Sequence, residues 1–210
     1  MEIKWLFFDL GATLVDESDV YKSRCDYVIR QSGVDPVEFM NRVCEVAKTS
    51  ATPIITAAKA YDVVLPKWDN SLEKLYEGAA GVLGGLYGRY KLGIIANQTL
   101  GTQERIDHWG IGKYFDVVVA SAEAGCAKPD PKIFSMALEK AGCSAAEAVM
   151  IGDRLDNDIV PAKKLGMKTI WVRQAYAIYQ RIDDEEKRPD HMIDRIEELG
   201  PLLESLRTET

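Results

Sequence analysis

Five short apolar segments constrain the fold of this 210-residue chain more than any other feature, and each is followed by a polar or small residue. They cover residues 5–8, 92–95, 117–119, 149–151 and 169–172. Continuous apolar runs of this length are typical of parallel strands that are buried on both faces. Helical patterns lie between them, including one over residues 131–141 that Asp130 can cap and Pro131 can open. The alternation predicts an α/β fold with a doubly wound parallel sheet, that is, a Rossmann-like core.

The stretch from residue 15 to residue 80 interrupts this alternation. Helical patterns cover residues 21–31 and 71–77, and further helices are expected to start at Asp35 and Pro53. We therefore predict an all-helical cap over residues 15–80, inserted after the first strand, and a core formed by residues 1–14 and 81–210. Beyond residue 174 we expect a charged segment and then a helix over residues 194–207.

Composition narrows the possible partners. A net charge of −7 and an isoelectric point near 5.0 argue against nucleic acid or an anionic membrane as the main partner. No apolar run approaches the roughly 20 residues that cross a bilayer, and the start lacks the features of a signal peptide. The four cysteines form no Cys-x-x-Cys pair, so neither disulfides nor a zinc site are expected. We expect a cytoplasmic monomer or homodimer that binds a small molecule.

Polar side chains follow the predicted strands at the edge where their carboxyl ends meet. Asp9, Asn97 and Asp153 follow three different strands, and Lys128 is expected to join them. Two carboxylates with a backbone carbonyl and waters form a natural site for a hard cation, most plausibly Mg²⁺. A carboxylate can also act as a nucleophile towards phosphorus, with a lysine and a cation offsetting the charge of the transferring group.

Four sequence motifs contain these residues, in an order and at spacings that resemble one known family. They cover residues 9–14, 94–98, 128–134 and 152–158. Together they resemble the haloacid dehalogenase-like hydrolase superfamily across the whole predicted core. The helical insertion is similar to that family's cap of the first type.

The resemblance implies a role for each matching residue. Asp9 matches the nucleophile, which is also a metal ligand, and Lys128 matches the lysine that holds the nucleophile and the substrate phosphate. Asp153 matches the metal-binding acid, and Asp158 matches the second acid that supports the metal. The backbone carbonyl of Gly11 would complete the Mg²⁺ site.

Two positions depart from the family pattern. Gly11 replaces a second aspartate that exchanges a proton with the leaving group and the attacking water, a contribution typically worth about 10²–10⁴-fold in rate. Ala96 replaces a serine or threonine that binds phosphate, and loss of one such donor costs around 10²–10³-fold. Asn97, Gln98 or Thr99 could supply the missing donor, and we take Asn97 and Gln98 as candidate substrate-binding residues.

Three hypotheses follow for the function. The first is a Mg²⁺-dependent phosphatase that acts on a small phosphorylated metabolite through an aspartyl-phosphate, with impaired or altered acid–base chemistry. The second is a catalytically silent protein that binds Mg²⁺ and a phosphorylated ligand. The third is a 2-haloacid dehalogenase, which needs no acid at Gly11 but also no metal, contrary to the Asp153 and Asp158 pair. Arg154 could contact either a ligand or solvent.

Overall fold

The computed structural model describes residues 2–50 and 52–208. The strands are β1 (Trp5–Phe8), β2 (Val15–Asp16), β3 (Lys74–Leu75), β4 (Lys91–Ala96), β5 (Val117–Ala120), β6 (Ala148–Gly152), β7 (Lys168–Val172) and β8 (His191–Ile193). Within the described residues, six of them form one parallel sheet in the order β5-β4-β1-β6-β7-β8. The strand that ends before Asp9 is therefore central, with β4 on one side and β6 on the other.

Nine α-helices are found in the described part of the chain. They are α1 (Ser18–Ser32), α2 (Pro36–Ala47), α3 (Pro53–Lys59), α4 (Ala79–Leu86), α5 (Thr102–His108), α6 (Ser121–Ala124), α7 (Pro131–Ala141), α8 (Val160–Lys164) and α9 (Leu199–Thr208). As predicted, the Asp130 carboxylate caps α7, accepting the Lys132 N–H at 2.9 Å. None of the helices that the structure describes has the length and apolar character needed to cross a bilayer.

Apolar side chains from the central strand fill both layers that flank the sheet. Leu6 and Phe8 belong to a buried cluster with residues from α4, α5 and α9. Trp5 and Phe7 belong to a second cluster with residues from α7 and α8 on the other face. Because side chains alternate across a strand, four consecutive apolar residues are needed when both faces are covered. This arrangement confirms the predicted doubly wound α/β fold.

Helices α1 to α3 form a separate helical layer with its own apolar cluster. Its fully buried members are Val28, Phe39, Val43 and Ala57. The chain enters and leaves this layer through β2 and β3, which pair antiparallel with Val15 opposite Leu75. The two-stranded ribbon lies close to residues 15 and 80, where we predict that the cap begins and ends. These boundaries stay a prediction.

The structure corrects several local predictions. The helix predicted over residues 71–77 is wrong, because a short 3₁₀ turn (Asn70–Leu72) leads instead into β3, whose residues pair with β2. The edge strand β8 was not predicted, and α9 begins only at Leu199 rather than at residue 194. Before α8 the chain forms a π-helical turn, Leu155–Ile159, which no local sequence pattern indicated. In β3 and β8, pairing with a neighbouring strand decides the conformation rather than local propensity.

The close packing of β1 against β4 predicts that a side chain added at Gly93 destabilises the fold. A Cβ on Gly93 would lie 2.5 Å from Cε1 of the buried Phe7 ring. We expect Gly93→Ala to lower the free energy of unfolding by about 1–3 kcal/mol, because overpacking displaces buried side chains. Urea denaturation measures this. Gly85→Ala in α4 is the control: nothing lies within 4 Å of the added Cβ, so stability should stay the same or rise by up to about 1 kcal/mol. A Gly93→Ala protein as stable as the wild type would contradict the packing.

Candidate active site

The carboxyl ends of β1, β4 and β6 bring the predicted acidic residues together. Asp9 leaves β1 with its N–H donating to the Ile151 carbonyl at 2.9 Å, which fixes it beside β6. Asp153 directly follows β6, and Asp158 lies in the π-helical turn that comes next. A Cβ on Gly152 would lie 2.5 Å from Cγ of Asp158. Glycine at this position therefore allows the Asp158 side chain to reach the end of the strand.

The ammonium group of Lys128 lies between two of these carboxylates. Its Nζ atom is 2.7 Å from Oδ1 of Asp9 and 2.6 Å from Oδ1 of Asp158, and its side chain is only 2% exposed. Burial by itself would lower the pKa of Lys128, but attraction by Asp158 and Asp9 outweighs this and raises the pKa above its ordinary value. The lysine therefore stays charged and holds Asp9 in a fixed position.

Asp158 uses both of its carboxylate oxygens within the protein. Oδ1 contacts Lys128, and Oδ2 accepts the Arg154 N–H at 2.8 Å. Burial raises the pKa of Asp158 to about 6, although attraction by Lys128 opposes this rise. These contacts give Asp158 the geometry of a residue that orients Lys128 and the loop after β6.

Asp153 differs from Asp158 because its carboxylate makes no hydrogen bond within the described residues. The loop beneath it is nevertheless fixed, since its backbone carbonyl accepts from Trp171 Nε1 at 2.8 Å and from Gln180 Nε2 at 3.0 Å. Burial, followed by repulsion from Asp158 and Asp9, raises the pKa of Asp153 well above its ordinary value. A cation beside this carboxylate would relieve both effects.

The three carboxylates meet the chemical requirements of a hard divalent cation. Oxygen atoms of Asp9, Asp153 and Asp158 lie within 4.8 Å of one another. One lysine cannot neutralise three buried carboxylates, so the cluster carries excess negative charge when all are ionised. Oxygen ligands and excess negative charge fit Mg²⁺. Gly11 lines the same small cavity as Asp9 and Asp153, and its predicted role as a carbonyl ligand stays a prediction.

Two residues after β4 hold the site together from its other side. The Asn97 amide pairs with the backbone of Lys128, donating to its carbonyl at 2.9 Å and accepting its N–H at 2.8 Å. The Gln98 side-chain oxygen accepts from Arg105 at 2.9 Å. Both residues line the cavity beside Asp9, and their binding to substrate stays a prediction. The observed contacts show that Asn97 positions the segment that carries Lys128.

The sequence analysis missed Glu17, a buried acid that lies against Gly11. The chain after β1 turns back on itself, with the Ala12 N–H donating to the Val15 carbonyl at 2.8 Å and Gly11 forming a bridge with Val15. This turn returns residue 17 to the Asp9 cavity. A Cβ on Gly11 would lie 2.8 Å from Cδ of Glu17. The carboxyl group therefore occupies space that a side chain at residue 11 would need.

The surroundings of Glu17 favour its protonated form. Burial, with a smaller contribution from the Asp9 charge, raises the pKa of Glu17 to about 8, although the hydrogen bond from Tyr21 acts in the opposite direction. Glu17 stands at the N-cap position of α1, yet its side chain makes no capping hydrogen bond. Glutamate is not among the preferred N-cap residues. That mismatch is the sequence signal that could have identified it.

A cleft of about 480 Å³ opens beside this cluster. Aromatic and apolar residues line part of its wall, among them Tyr21, Ile54, Trp68 and Tyr176. The polar part is formed by residues from the strand ends, including Asn97, Gln98, Asp153 and Arg154. The Arg154 guanidinium pairs with Asp156 at 3.0 and 3.1 Å. Arg154 is thus at the wall of the cleft and buried, rather than in open solvent.

Comparison with protein-family models gives a match to the haloacid dehalogenase-like hydrolase family over residues 6–172. The chain belongs to this family. It is therefore a hydrolase, and the resemblance carried by its four motifs is confirmed. The matched segment includes all four motifs and the helical insertion between the first and second.

Several relatives of this haloacid dehalogenase-like hydrolase are phosphatases. The glyceraldehyde 3-phosphate phosphatase of Pyrococcus furiosus is 32% identical, with 96% of this chain and 93% of the relative aligned. The enzyme of the same description from Methanocaldococcus jannaschii is 33% identical, over 76% of this chain and 66% of the relative. A phosphatase structure from Thermococcus onnurineus superposes with a TM-score of 0.65 at 25% identity, covering 96% of this chain and 98% of that chain.

The carboxylate cluster predicts stabilisation by Mg²⁺. A ligand at one hundred times its dissociation constant stabilises a fold by about 2.7 kcal/mol, which should raise Tm by several degrees in a domain of this size. We expect Asp153→Asn to remove most of this rise, because it removes the one cluster carboxylate that makes no hydrogen bond or ion pair with the described residues. Thermal unfolding with and without Mg²⁺ measures the effect.

Asp156→Asn is the matched control for this measurement. Asp156 is close to Asp153 in sequence, but it is 42% exposed and pairs with Arg154 instead of joining the cluster. Its Mg²⁺-dependent rise in Tm should equal that of the wild type. An equal rise in the wild type and in Asp153→Asn would show that the cation binds elsewhere.

Proposed function

We propose that the protein is a Mg²⁺-dependent phosphatase that hydrolyses a small phosphorylated metabolite through an aspartyl-phosphate on Asp9. The observation that supports this most directly is the position of Lys128, with its ammonium group 2.7 Å from Asp9 and 2.6 Å from Asp158. A nucleophilic carboxylate next to a fixed positive charge at the end of a cleft is suited to attack a phosphate dianion.

The reaction begins with attack of an Asp9 oxygen on phosphorus, which breaks the bond from phosphorus to the ester oxygen and expels the alcohol part of the substrate. Lys128 orients Asp9 and offsets the negative charge that accumulates on the phosphoryl oxygens. Asp158 keeps Lys128 in place, and Asn97 holds the backbone on which Lys128 is carried. Water then attacks the phosphorus of the aspartyl-phosphate, which releases inorganic phosphate and regenerates the Asp9 carboxylate.

Asp9 and Asp153 would hold the Mg²⁺ ion, with Asp158 supporting the site. When bound, the ion would offset charge on the phosphate and bring it close to the nucleophile. Three buried carboxylate groups around one lysine support this assignment. A neutral or basic cluster would not.

The cleft supports a substrate of metabolite size. A volume of about 480 Å³ is within the range of small-molecule sites, and its apolar wall would pack against the carbon part of such a substrate. Relatives that align over most of this chain are described as glyceraldehyde 3-phosphate phosphatases. Glyceraldehyde 3-phosphate is therefore the first substrate to test, followed by phosphate monoesters of similar size.

A catalytically silent Mg²⁺-binding protein is the second candidate. Two observations favour it: Ala96 is fully buried at the end of β4 and offers no side-chain donor, and Gly11 has no group that could exchange a proton. A 2-haloacid dehalogenase is less favoured, because Asp153, whose carboxylate makes no hydrogen bond with the part of the chain that the structure describes, has no use in a reaction without a metal. Turnover of phosphate esters distinguishes the first two candidates, and release of halide without Mg²⁺ would support the third.

We expect Asp9→Asn to lose all Mg²⁺-dependent hydrolysis of phosphate esters, because an amide cannot form the covalent intermediate. Release of inorganic phosphate from a panel of monoesters, with and without Mg²⁺, measures this. The matched control is Asp130→Asn, since asparagine caps a helix as well as aspartate does and Asp130 makes its hydrogen bond to the N–H of Lys132. Activity that survives in Asp9→Asn would exclude Asp9 as the nucleophile, and a wild type that is inert while it binds Mg²⁺ would favour the silent protein.

A further inference from the structure

The side chain of Glu17 fills the space beside Gly11 where a side chain at residue 11 would lie. A Cβ on Gly11 would lie 2.8 Å from Cδ and 3.1 Å from Oε2 of Glu17, with Oε1 closer still. No ordinary side chain fits at residue 11 while Glu17 keeps this position. The absence of a carboxyl group at residue 11 is therefore accompanied by the presence of another carboxyl group in the same space.

Glu17 also borders the cavity that the proposed nucleophile, Asp9, lines. Glu17 lines the small polar cavity that Asp9, Lys128 and Asp153 line, and it lines the larger cleft as well. It thus stands where the cleft meets the cluster that contains the nucleophile. A leaving group that departs from phosphorus into the cleft would pass it.

The contacts of Glu17 differ from those of an acid with a purely structural role. It does not cap α1, and it forms no ion pair with a cation within the described residues. The hydroxyl group of Tyr21 donates to Oε2, which leaves Oε1 as the atom nearest to Gly11. Glu73 provides the contrast: this buried acid accepts from Trp68 Nε1 at 2.6 Å and lies 3.9 Å from Arg105.

We propose that Glu17 is the catalytic proton donor and acceptor of this enzyme, supplied from the start of α1 in place of a side chain at residue 11. The proposal rests on the proposed function, because it assigns a group to the phosphatase reaction. Tyr21 is a positioning residue that holds Oε2 of Glu17 and leaves Oε1 beside Gly11.

The proton transfers balance over the two steps. In the first, an Asp9 oxygen forms a bond to phosphorus, the bond from phosphorus to the ester oxygen breaks, and that oxygen takes the proton of the Glu17 carboxyl group. In the second, water forms a bond to phosphorus and gives a proton to the Glu17 carboxylate, while the bond from phosphorus to Asp9 breaks. The sum is an ester plus water giving an alcohol plus inorganic phosphate, with Asp9 and Glu17 restored.

The test uses Glu17→Gln, which keeps the size of the side chain and a group that the Tyr21 hydroxyl can contact. Nitrophenolate leaves without a proton, so this variant should still release about one equivalent of nitrophenol per site in a rapid burst. Steady-state turnover should then fall by about 10²–10⁴-fold, because nothing activates the water. An alkyl phosphate should lose the burst as well, because its leaving group needs the proton.

Three measurements accompany this experiment. Intact mass should detect the phosphorylated chain that accumulates in Glu17→Gln during nitrophenyl phosphate turnover. The Mg²⁺-dependent rise in Tm should be unchanged, since Glu17 is outside the carboxylate cluster. Glu147→Gln is the control, because Glu147 precedes β6 at the end of that strand away from the site, lines neither cavity, and occupies a capping-box position that glutamine also suits; it should keep wild-type bursts and turnover.

Two results with Glu17→Gln would overturn the proposal. Wild-type turnover of both esters in Glu17→Gln would show that Glu17 carries no proton. Equal loss of burst and turnover with both esters, in a folded protein that still binds Mg²⁺, would show that Glu17 only shapes the site. If the wild type hydrolyses no ester, the proposed phosphatase function is wrong. If the wild type and Glu17→Gln are both fully active, the phosphatase function stands and only the role of Glu17 is wrong.

A second test moves the carboxylate from residue 17 to residue 11, and it does not depend on the stability of Glu17→Gln. Gly11→Asp alone should be less stable and no more active than the wild type, because its side chain meets Glu17. Gly11→Asp combined with Glu17→Ala removes that conflict and should restore at least 10-fold of the steady-state rate that Glu17→Ala alone loses. A folded double variant that is as slow as Glu17→Ala would contradict the shared proton-transfer role.

Discussion

The ammonium group of Lys128, buried between Asp9 and Asp158, is the interaction on which the rest of the site depends. Removing an ion from water costs several kcal/mol unless opposite charges and hydrogen bonds compensate. Two carboxylates provide that compensation, Asp9 after the central strand and Asp158 in the turn after β6, while the Asn97 amide fixes the backbone that carries the lysine. Each of these contacts joins segments that are far apart in sequence, so the site and the strand order stabilise each other.

The excess negative charge left over by this arrangement gives the site its chemistry. One lysine faces three carboxylates, and burial of Asp153 beside Asp9 and Asp158 raises the pKa of its carboxyl group. On the proposed function, this cluster binds a divalent cation and presents Asp9 as the nucleophile next to it. On our proposal, Glu17 adds the proton-transfer group that Gly11 cannot provide. A proton-transfer group missing at one sequence position can thus be supplied by a residue elsewhere in the sequence whose side chain reaches the same space.

Local sequence patterns predicted those elements that are buried on both faces or capped by their own residues. The run Trp5–Phe8 is a strand because two layers cover it, and α7 begins where Asp130 caps it. Prediction failed where pairing with distant residues decides the conformation. Residues Lys74–Leu75 are extended because β2 lies beside them, and His191–Ile193 form a strand because β7 has a free edge there. Neither stretch carries a periodic pattern of its own.

The family, the α/β fold and the four motif residues Asp9, Lys128, Asp153 and Asp158 could all be predicted from the sequence, because each is indicated by a run of adjacent apolar residues or by a short motif. The hydrogen bonds and ion pairs of each carboxylate depend on three-dimensional packing, so the structure was needed to distinguish Asp158, whose two oxygens have protein partners, from Asp153, and to identify Glu17. Residue 17 is six positions from Gly11, and nothing in that spacing indicates contact. The tight turn after β1 and the burial of α1 against the cleft bring the two together, and both depend on packing across the whole molecule.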